Sequence, residues 1–263
     1  MLWDKVLNVY LFMFFLPLVF AVLRINQNWA LYLIALVYSV IIGFRFEVGC
    51  DWDAYLEMLN MAGSYSFWDY LNLNDKGYML LNWIAYHYGG GIYLVNFICA
   101  LLFMYGLIRF VKLEPNPLLA LLVAVPYLTV VVAMGYTRQS VAIGFVLLAL
   151  SFYYQRKLFW VVFSLTLATL FHKTAIVAFF PLFLLPRDII SLRNKALIAS
   201  LVLVLFYFLV FPNMKWYLYT YAGISLEKPA VEELQISLEK PAVESSGALI
   251  RIGMNLLPAL LFL

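Results

Sequence analysis

Long apolar runs, separated by short polar or basic links, dominate this chain. Most runs hold about 16 to 20 residues, close to the length that an α-helix needs to cross a bilayer. The pattern predicts an all-α, polytopic integral membrane protein with about nine transmembrane helices, a short re-entrant or half helix, and an interfacial amphipathic helix. The predicted spans are Val6–Leu23, Trp29–Phe44, Ile92–Phe110, Leu118–Met134, the two arms of a hairpin between Met134 and Thr174, Ala175–Leu185, Ala196–Phe211 and Ala248–Leu263.

The two ends of the chain call for separate interpretation. Val6–Leu23 has the apolar character of a signal peptide, but it is long and lacks a small-x-small cleavage site, so we expect a retained helix. After Leu263 no polar residue closes the last apolar run, and we expect a truncated C-terminus.

The hairpin carries the first candidate site. Arg138 lies about one helix length before the basic turn Gln155–Lys157, and His172 lies about as far after it. At about 1.5 Å per residue, each arm rises roughly 25 Å, close to the thickness of the hydrocarbon core. We therefore expect Arg138 and His172 to share one face of the membrane, where a permanent cation would lie beside a titratable base.

Residues 45–76 form a polar and aromatic segment that is too polar to cross lipid. Within it, Asp53–Met61 has the pattern of an amphipathic helix, and we expect it at the membrane interface. Gly77–Tyr88 is apolar but short for a span, so we expect it to be re-entrant, with 45–76 on the outer face. If Gly77–Tyr88 crosses the bilayer instead, 45–76 lies inside. The aromatic residues expected at the interface are Trp52, Tyr55, Trp68 and Tyr70.

Composition agrees with a membrane protein and excludes several functions. The chain is 66% hydrophobic and only 12% charged, about half the charged fraction of ordinary soluble domains. A net charge of +3 is too small and scattered to indicate nucleic-acid binding. Cys50 and Cys99 lie in different segments, which gives no disulfide framework, and two histidines alone do not indicate a His-built metal site.

The clustered basic links predict the orientation. We place them in the cytoplasm, so Arg138, His172, Lys173 and the loop 214–246 face outward. Residues 1–263 are expected to form one polytopic membrane domain. The outer loop contains ISLEKPAVE twice, at 224–232 and 236–244, which indicates a local duplication in an exposed loop. The links are Arg109 with Lys112, Arg156 with Lys157, and Arg187 with Arg193 and Lys195.

Arg138 and the pair His172-Lys173 are candidate catalytic and anion-binding residues. The Arg138 guanidinium stays charged and can grip phosphate oxygens in two places; the alternative is an arginine that snorkels to the headgroups. His172 could take a proton from a hydroxyl and Lys173 could pair with phosphate. Alternatively, these two residues form a polar break between helices, with His172 bonded to a carbonyl.

The densest polar and aromatic cluster is 43–55. Asp51 could orient a sugar hydroxyl or hold Arg45, and the aromatic side chains could stack on sugar rings. The structural alternative makes Asp51 the N-cap of the next helix and Arg45 a snorkelling residue. Asp51 and Asp53 could also bind a divalent cation, although two carboxylates are weak evidence.

Three more cations, Lys76, Lys215 and Arg251, are expected on the outer side. Each is expected to be solvated or interfacial. Arg251 differs from the others because it lies inside an apolar run, where a charge is costly to bury.

Five stretches of the chain resemble the EpsG/Wzy-type polysaccharide polymerases of bacterial membranes. The resemblance follows the same order along most of the chain, and the ordered set is more specific than any single motif. It differs from the family at Lys76, where members often have an acidic residue; here Asp75 stands one position earlier. The stretches are FRFEVGCDWDAYLEM, KGYMLLNWIAYHYGGG, YTRQSVAIGFVLLAL, FHKTAIVAFFPLFLL and SGALIRIGMNLLPALLFL.

The resemblance implies polymerisation of undecaprenyl-diphosphate-linked oligosaccharide repeat units at the outer face of the bacterial cytoplasmic membrane. It implies lipid-linked donor and acceptor glycans as partners, with a chain-length regulator as a further candidate partner, and neither cofactor nor metal. The family-type positions in this sequence are Arg45, Gly49, Asp51, Tyr55, Arg138, Gln139 and His172.

On this interpretation Arg138, with Lys173 and Arg45, binds the diphosphate, and His172 is the general base, with Asp51 as the alternative base. Tyr55 and Trp52 position sugar, while Gln139 and Arg251 complete the candidate substrate-binding set. Two alternatives stay open: a transporter or flippase of the same lipid-linked glycan, and a membrane ligase or acyltransferase that acts on surface glycans.

Overall fold

The structure is a computed structural model that describes residues 2–23, 27–49, 51–185 and 189–211, without the side chains of 2–7. By its contacts the chain forms two units, Met1–Asn213 and Met214–Leu263, and every described residue belongs to the first. The expectation of one domain over 1–263 therefore stays a prediction. Arg251, the duplicated loop and the predicted span Ala248–Leu263 lie outside the described residues.

Within the described ranges all regular structure is helical, which confirms the all-α prediction. A π-helical stretch, Val125–Ala133, continues α7; a 3₁₀ helix, Lys173–Phe179, precedes α10; and a second π-helical stretch, Phe206–Val210, continues α11. The α-helices are α1 (Leu2–Val22), α2 (Gln27–Gly43), α3 (Trp52–Met61), α4 (Phe67–Leu73), α5 (Lys76–His87), α6 (Gly91–Val111), α7 (Pro117–Ala124), α8 (Thr137–Tyr154), α9 (Leu158–Phe171), α10 (Phe180–Leu184) and α11 (Leu192–Leu205).

Two apolar helices in the described part of the chain are long enough to span a membrane by length and composition: Gly91–Val111 and Leu192–Val210. The other apolar helices are shorter than the roughly 20 residues that a full span needs. The predicted count of about nine spans is therefore not confirmed. The shorter helices are Asn8–Val22, Gln27–Gly43, Pro117–Ala133, Leu158–Phe171 and Lys173–Leu184.

The polar segment contains one helix that the sequence analysis did not predict. α4 begins after Ser66, whose hydroxyl accepts a hydrogen bond from the backbone N–H of Asp69 at 3.4 Å. The hydroxyl of Tyr70 in α4 donates to the carbonyl of Met58 in α3 at 2.6 Å. This contact ties the two short helices together.

Three of the four aromatic side chains expected at the membrane interface are covered by protein, and their depth in a membrane stays a prediction. Trp52, Tyr55 and Tyr70 are buried in a core cluster with residues of α5, whereas Trp68 is 73% exposed. An amphipathic pattern shows only that one helix face is apolar. Here that face is covered by the protein's own α5.

α8 occupies the middle of the fold, between α6 and α9, and α6 in turn packs on α2. Glycines allow the close approach of α6 and α8. A Cβ at Gly106 would overlap the carbonyl oxygen of Gly144, and a Cβ at Gly144 would lie 2.7 Å from Phe103 Cα. The two backbones are therefore in direct contact, with no room for side chains between them.

The chain from Asp75 to Asn96 begins and ends at the first turn of α8. Asp75, just before α5, accepts a hydrogen bond from Arg138 at 3.0 Å. Thr137, the neighbour of Arg138, donates to Asn96 in α6 at 3.5 Å. The segment from Asp75 to Asn96 therefore leaves the first turn of α8 and comes back to it.

The contact between α6 and α8 gives a first prediction. Gly144→Ala adds a methyl group that meets backbone atoms, Phe103 Cα at 2.7 Å and the Leu102 oxygen at 3.2 Å, which cannot rotate away. We expect the free energy of unfolding to fall by about 1–3 kcal/mol, as in overpacked cores. Thermal unfolding of the purified full chain in detergent measures the loss.

Gly135→Ala is the matched control, because a Cβ at Gly135 meets nothing within 4 Å. Equal unfolding temperatures for the two variants would contradict the proposed close contact.

Candidate active site

Three chain segments meet at the first turn of α8, around the carboxylate of Asp75. Asp75 precedes α5, Arg138 lies in the first turn of α8, and His172 ends α9 in extended backbone with φ −154° and ψ 107°. The extended residue stops α9 and turns the chain into the 3₁₀ helix that starts at Lys173. The side chains of Asp75, Arg138 and His172 therefore lie next to one another.

The Asp75 carboxylate is enclosed and has three partners. Its side chain is 1% exposed. Oδ2 accepts a hydrogen bond from Nη1 of Arg138 at 3.0 Å and lies 3.7 Å from Nδ1 of His172, while Oδ1 accepts from the backbone N–H of Lys173 at 3.1 Å. Arg138 also donates to Oδ1 of Asn74 at 2.8 Å. We call Asn74, Asp75, Arg138, His172 and Lys173 the Asp75 site.

The predicted proximity of Arg138 and His172 is confirmed, because both face the same carboxylate oxygen. The two arms of the hairpin do return to one level, as the regular helical rise requires. Asp75 between the two residues was not predicted.

Opposing effects set the pKa of Asp75. Burial acts to raise it, but His172 and the positive charges of Arg138 and Lys173 together outweigh burial. The pKa of Asp75 therefore lies below its ordinary value of 3.8, and the carboxylate is ionised at neutral pH.

Arg138 and His172 each have an enclosed and an exposed part. The Arg138 side chain is 21% exposed and that of His172 is 29% exposed. Nε of Arg138 and Nδ1 of His172 are both shielded from solvent, and neither has a hydrogen-bond partner among the described residues. The exposed fractions therefore belong to the outer ends of these side chains.

The aromatic floor of the site comes from α3 and α5. The Arg138 guanidinium carbon lies 5.8 Å from the centre of the Tyr55 ring, within cation–π range. The Tyr55 ring in turn lies 5.4 Å from that of Tyr78. Trp52 packs against Phe46 instead, so it is not part of this floor.

The structure places Arg45 beneath the site rather than at its surface. Its side chain is buried, and Nη1 donates to the Ile42 carbonyl at 2.8 Å. Nη2 donates to Oγ1 of Thr137 at 2.6 Å, next to Arg138 in the chain. The alternative of a snorkelling Arg45 is wrong, because the guanidinium is buried and holds the end of α2 to the start of α8.

Gly49 explains why the loop before α3 reaches α8. Its φ is +107°, which L side chains rarely adopt. A Cβ there would lie 2.7 Å from the Met134 carbonyl oxygen, in the chain just before α8. Glycine therefore allows this loop to lie directly against the entry to α8.

Asp51 occupies the N-cap position of α3 without a side-chain capping bond. Burial raises its pKa, and the charge of Arg138 only partly opposes this effect. Asp53 lies on the exposed side of α3. Gln139 is exposed beside Arg138, and Lys173 is half-buried.

The sequence analysis did not single out Asn74 or Asp75 as site residues. A signal was present, because Asp75 is the acidic residue next to the KGYMLL motif. Its position one residue early concealed it, whereas the structure shows that the carboxylate reaches Arg138 and His172 from there.

The buried guanidinium generates a stability prediction. Arg45→Lys keeps the charge but cannot serve the Ile42 carbonyl and the Thr137 hydroxyl from two nitrogens. We expect a loss of about 1–3 kcal/mol, typical of a buried acceptor left unpaired. Arg156→Lys, at an exposed position, is the matched control in thermal unfolding. Equal losses would contradict the buried role of Arg45.

Asp75 generates a pH prediction. Because its folded pKa is lowered, its ionised form contributes stability above 3.8, and this contribution is lost as the pH falls through the folded value. We expect the unfolding temperature of wild type to exceed that of Asp75→Asn at every pH between about 5 and 8, where the carboxylate is ionised. Below pH 3.8 the difference should shrink. Scans of both proteins across pH measure it, and a difference that does not shrink below pH 3.8 would contradict the ion pair.

Comparison with known proteins places this site in a family. A model of the EpsG family matches residues 28–263, which include every residue of the Asp75 site. No curated protein and no solved structure matches the chain. The family match indicates a polymerase-like role in polysaccharide biosynthesis and a membrane association that agrees with the two helices able to span a bilayer. With most of its length matched, the chain belongs to the EpsG family.

Proposed function

We propose that this protein joins undecaprenyl-diphosphate-linked oligosaccharide repeat units into a surface polysaccharide, at the outer face of the bacterial cytoplasmic membrane. The observation that carries the proposal is the convergence of Arg138 and His172 on Asp75. It puts an anion-binding cation and a proton acceptor within one small site, and membership of the EpsG family supports the class of reaction.

In the proposed reaction two lipid-linked glycans meet at the Asp75 site. An acceptor hydroxyl oxygen attacks the anomeric carbon of the donor, and the bond from that carbon to the diphosphate oxygen breaks. The leaving group is an anion, so fixed cations lower the barrier. The polysaccharide grows by one repeat unit, and undecaprenyl diphosphate departs.

Arg138 is the proposed diphosphate clamp. Nη1 donates to Asn74 and Asp75 and the guanidinium lies against the Tyr55 ring, while 21% of the Arg138 side chain stays exposed. Because the guanidinium is already held in place, phosphate binding costs less side-chain entropy. Lys173 adds a second positive charge beside it, and exposed Gln139 can donate to the same ligand.

His172 is the proposed general base for the acceptor hydroxyl. Asp51 is the alternative, because burial raises the pKa of its carboxyl toward the pH at which a base works best. Sugar positioning by Tyr55, which lies against Arg138, and by Trp52 stays a sequence-based prediction, and both side chains are buried in this structure.

Arg45 supports the clamp from below. Its bond to Thr137 fixes the residue before Arg138, so we assign it to positioning the start of α8. Direct contact of Arg45 with diphosphate, and the role of Arg251, stay sequence-based predictions.

The proposed topology is multi-pass, with about nine spans as the apolar pattern predicts. The return of the chain from Asp75 to Asn96 at the first turn of α8 supports a re-entrant α5. The Asp75 site then lies on the outer side and the turn of Arg156 and Lys157 in the cytoplasm. A membrane chain-length regulator is a proposed partner.

The proposal is tested first by deleting the gene and complementing with the full-length coding sequence. We expect the glycan ladder on a gel to collapse to one repeat unit and to return on complementation. Complete loss of surface glycan would indicate transport instead, and altered decoration with unchanged length would indicate an acyltransferase. An unchanged ladder would refute polymerisation.

The roles of the two proposed catalytic residues are tested in the same cells. Arg138→Ala and His172→Ala should each leave only single repeat units, since the first removes the clamp and the second removes the proton acceptor. The controls are Arg156→Ala, in the turn after α8, and His87→Ala, the other histidine, at the exposed end of α5.

Protein levels are measured by immunoblot of the membrane fraction. Full-length polymer with Arg138→Ala would remove the clamp, and full-length polymer with His172→Ala would leave Asp51 as the base.

A further inference from the structure

We propose that Asp75 is a positioning residue that holds neutral His172 with its proton on Nδ1 and its Nε2 lone pair facing the acceptor hydroxyl. The catalytic meaning of this arrangement rests on the proposed polymerase function. The arrangement itself can be measured without any activity.

The first observation is that Asp75 does not serve its own helix. It stands at the N-cap of α5, where an aspartate ordinarily accepts a hydrogen bond from the first turn, yet its side chain makes no capping bond. Both oxygens instead face other segments, namely α8 through Arg138 and the end of α9 through His172 and Lys173.

The second observation is that the carboxylate cannot easily move. Its side chain is buried, and hydrogen bonds from Arg138 at 3.0 Å and from the Lys173 backbone at 3.1 Å hold one oxygen each. The face of the carboxylate that His172 meets is therefore fixed by two contacts that do not involve the imidazole.

The third observation concerns the two nitrogens of His172. Nδ1 is shielded from solvent and lies 3.7 Å from Oδ2 of Asp75, close enough to form a hydrogen bond after a small ring rotation. An ionised carboxylate only accepts hydrogen bonds, so it favours the tautomer with the proton on Nδ1. The exposed part of the ring is then the part that carries the Nε2 lone pair.

This tautomer determines where the proton goes in the proposed reaction. The acceptor hydroxyl gives its proton to Nε2 as its oxygen bonds to the anomeric carbon, and His172 becomes an imidazolium with protons on both nitrogens. Asp75 stabilises that cation without taking the proton. Arg138, bound to the same oxygen, keeps Asp75 ionised throughout, in accord with the lowered pKa of this carboxyl.

Other ionisable groups also surround the pair and must be considered in any pH measurement. They belong to the loop before α3, α3, α5, α8 and the 3₁₀ helix, and they are unchanged between wild type and an Asp75 variant. These groups are Asp51, Tyr55, Tyr78, Arg138 and Lys173, together with Lys76, the neighbour of Asp75 in the chain.

The direct test is nitrogen NMR of the full-length protein, labelled with ¹⁵N-histidine and reconstituted in bilayers. The chain has two histidines, so the spectrum is simple, and His172→Asn assigns the remaining signals to His87. We expect His172 to show a protonated Nδ1 and an unprotonated Nε2 near neutral pH. A wild-type His172 with its proton on Nε2 would overturn the proposal, whether or not any variant folds.

Two variants separate Asp75's effect on His172 from its effect on Arg138. Asp75→Asn replaces an obligatory acceptor by an amide that can also donate, and we expect the Nε2-protonated tautomer to appear. Asn74→Ala removes the other Arg138 acceptor and leaves the carboxylate, so it should keep the wild-type tautomer. A wild-type tautomer in Asp75→Asn would overturn the proposal.

The kinetic test uses membrane vesicles from the deletion strain, which on the proposed function accumulate lipid-linked single repeat units. Purified wild type should extend them, and Asp75→Asn should be slower by about 10²- to 10⁴-fold. Loss of the negative charge disfavours imidazolium, so the acid-side inflection of the rate should move to lower pH, and Asp75→Glu should restore part of the rate.

A folding defect would lower the amount of active enzyme without moving that inflection, so an unmoved inflection would overturn the positioning role. If wild type extends no glycan in these vesicles, the proposed function fails, and the NMR result still decides the tautomer by itself.

Discussion

The structure around the candidate site depends on the pairing of one buried carboxylate with its partners. An ion such as the Asp75 carboxylate loses several kcal/mol of hydration when it is enclosed, and only well-placed partners offset that loss. Arg138, the Lys173 backbone and His172 supply these partners from two further segments. The Asp75 charge therefore links the positions of α5, α8 and the end of α9, because moving any one of these segments away would take a partner from the buried carboxylate.

Glycine makes this pairing sterically possible. Gly77 follows Asp75 by two residues, and a Cβ there would lie 3.0 Å from the Phe171 ring and 3.2 Å from the Leu170 carbonyl oxygen. The first turn of α5 can thus lie directly on the last turn of α9, next to His172. Gly49 has the same role for the loop before α3, and Gly144 for the central pair of helices. The charged contacts hold together segments that small residues have allowed to meet.

Contacts within one hairpin could be predicted from the sequence, whereas contacts between distant segments could not. The proximity of Arg138 and His172 follows from the helical rise along one continuous hairpin, because the two arms contain similar numbers of residues. Asp75 lies 63 residues from Arg138 and 98 from Lys173, and no periodic pattern reports a contact at such a separation. For the same reason, the amphipathic pattern of α3 predicted the helix but not the partner of its apolar face. Tyr55 on that face is buried against Tyr78, a contact that the pattern could not predict.

Because one carboxylate oxygen serves both Arg138 and His172, the proposed clamp and the proposed base are not independent. In the proposed reaction, a shift of Asp75 would therefore affect both diphosphate binding through Arg138 and proton removal through His172. Residues that share a partner in this way give non-additive effects when they are replaced in combination. The benefit is pre-organisation: both groups are oriented before substrate arrives, and little rearrangement is needed as charge develops in the transition state. This pre-organisation depends on an ionised Asp75 carboxylate, and the positive charges of Arg138 and Lys173 favour that state.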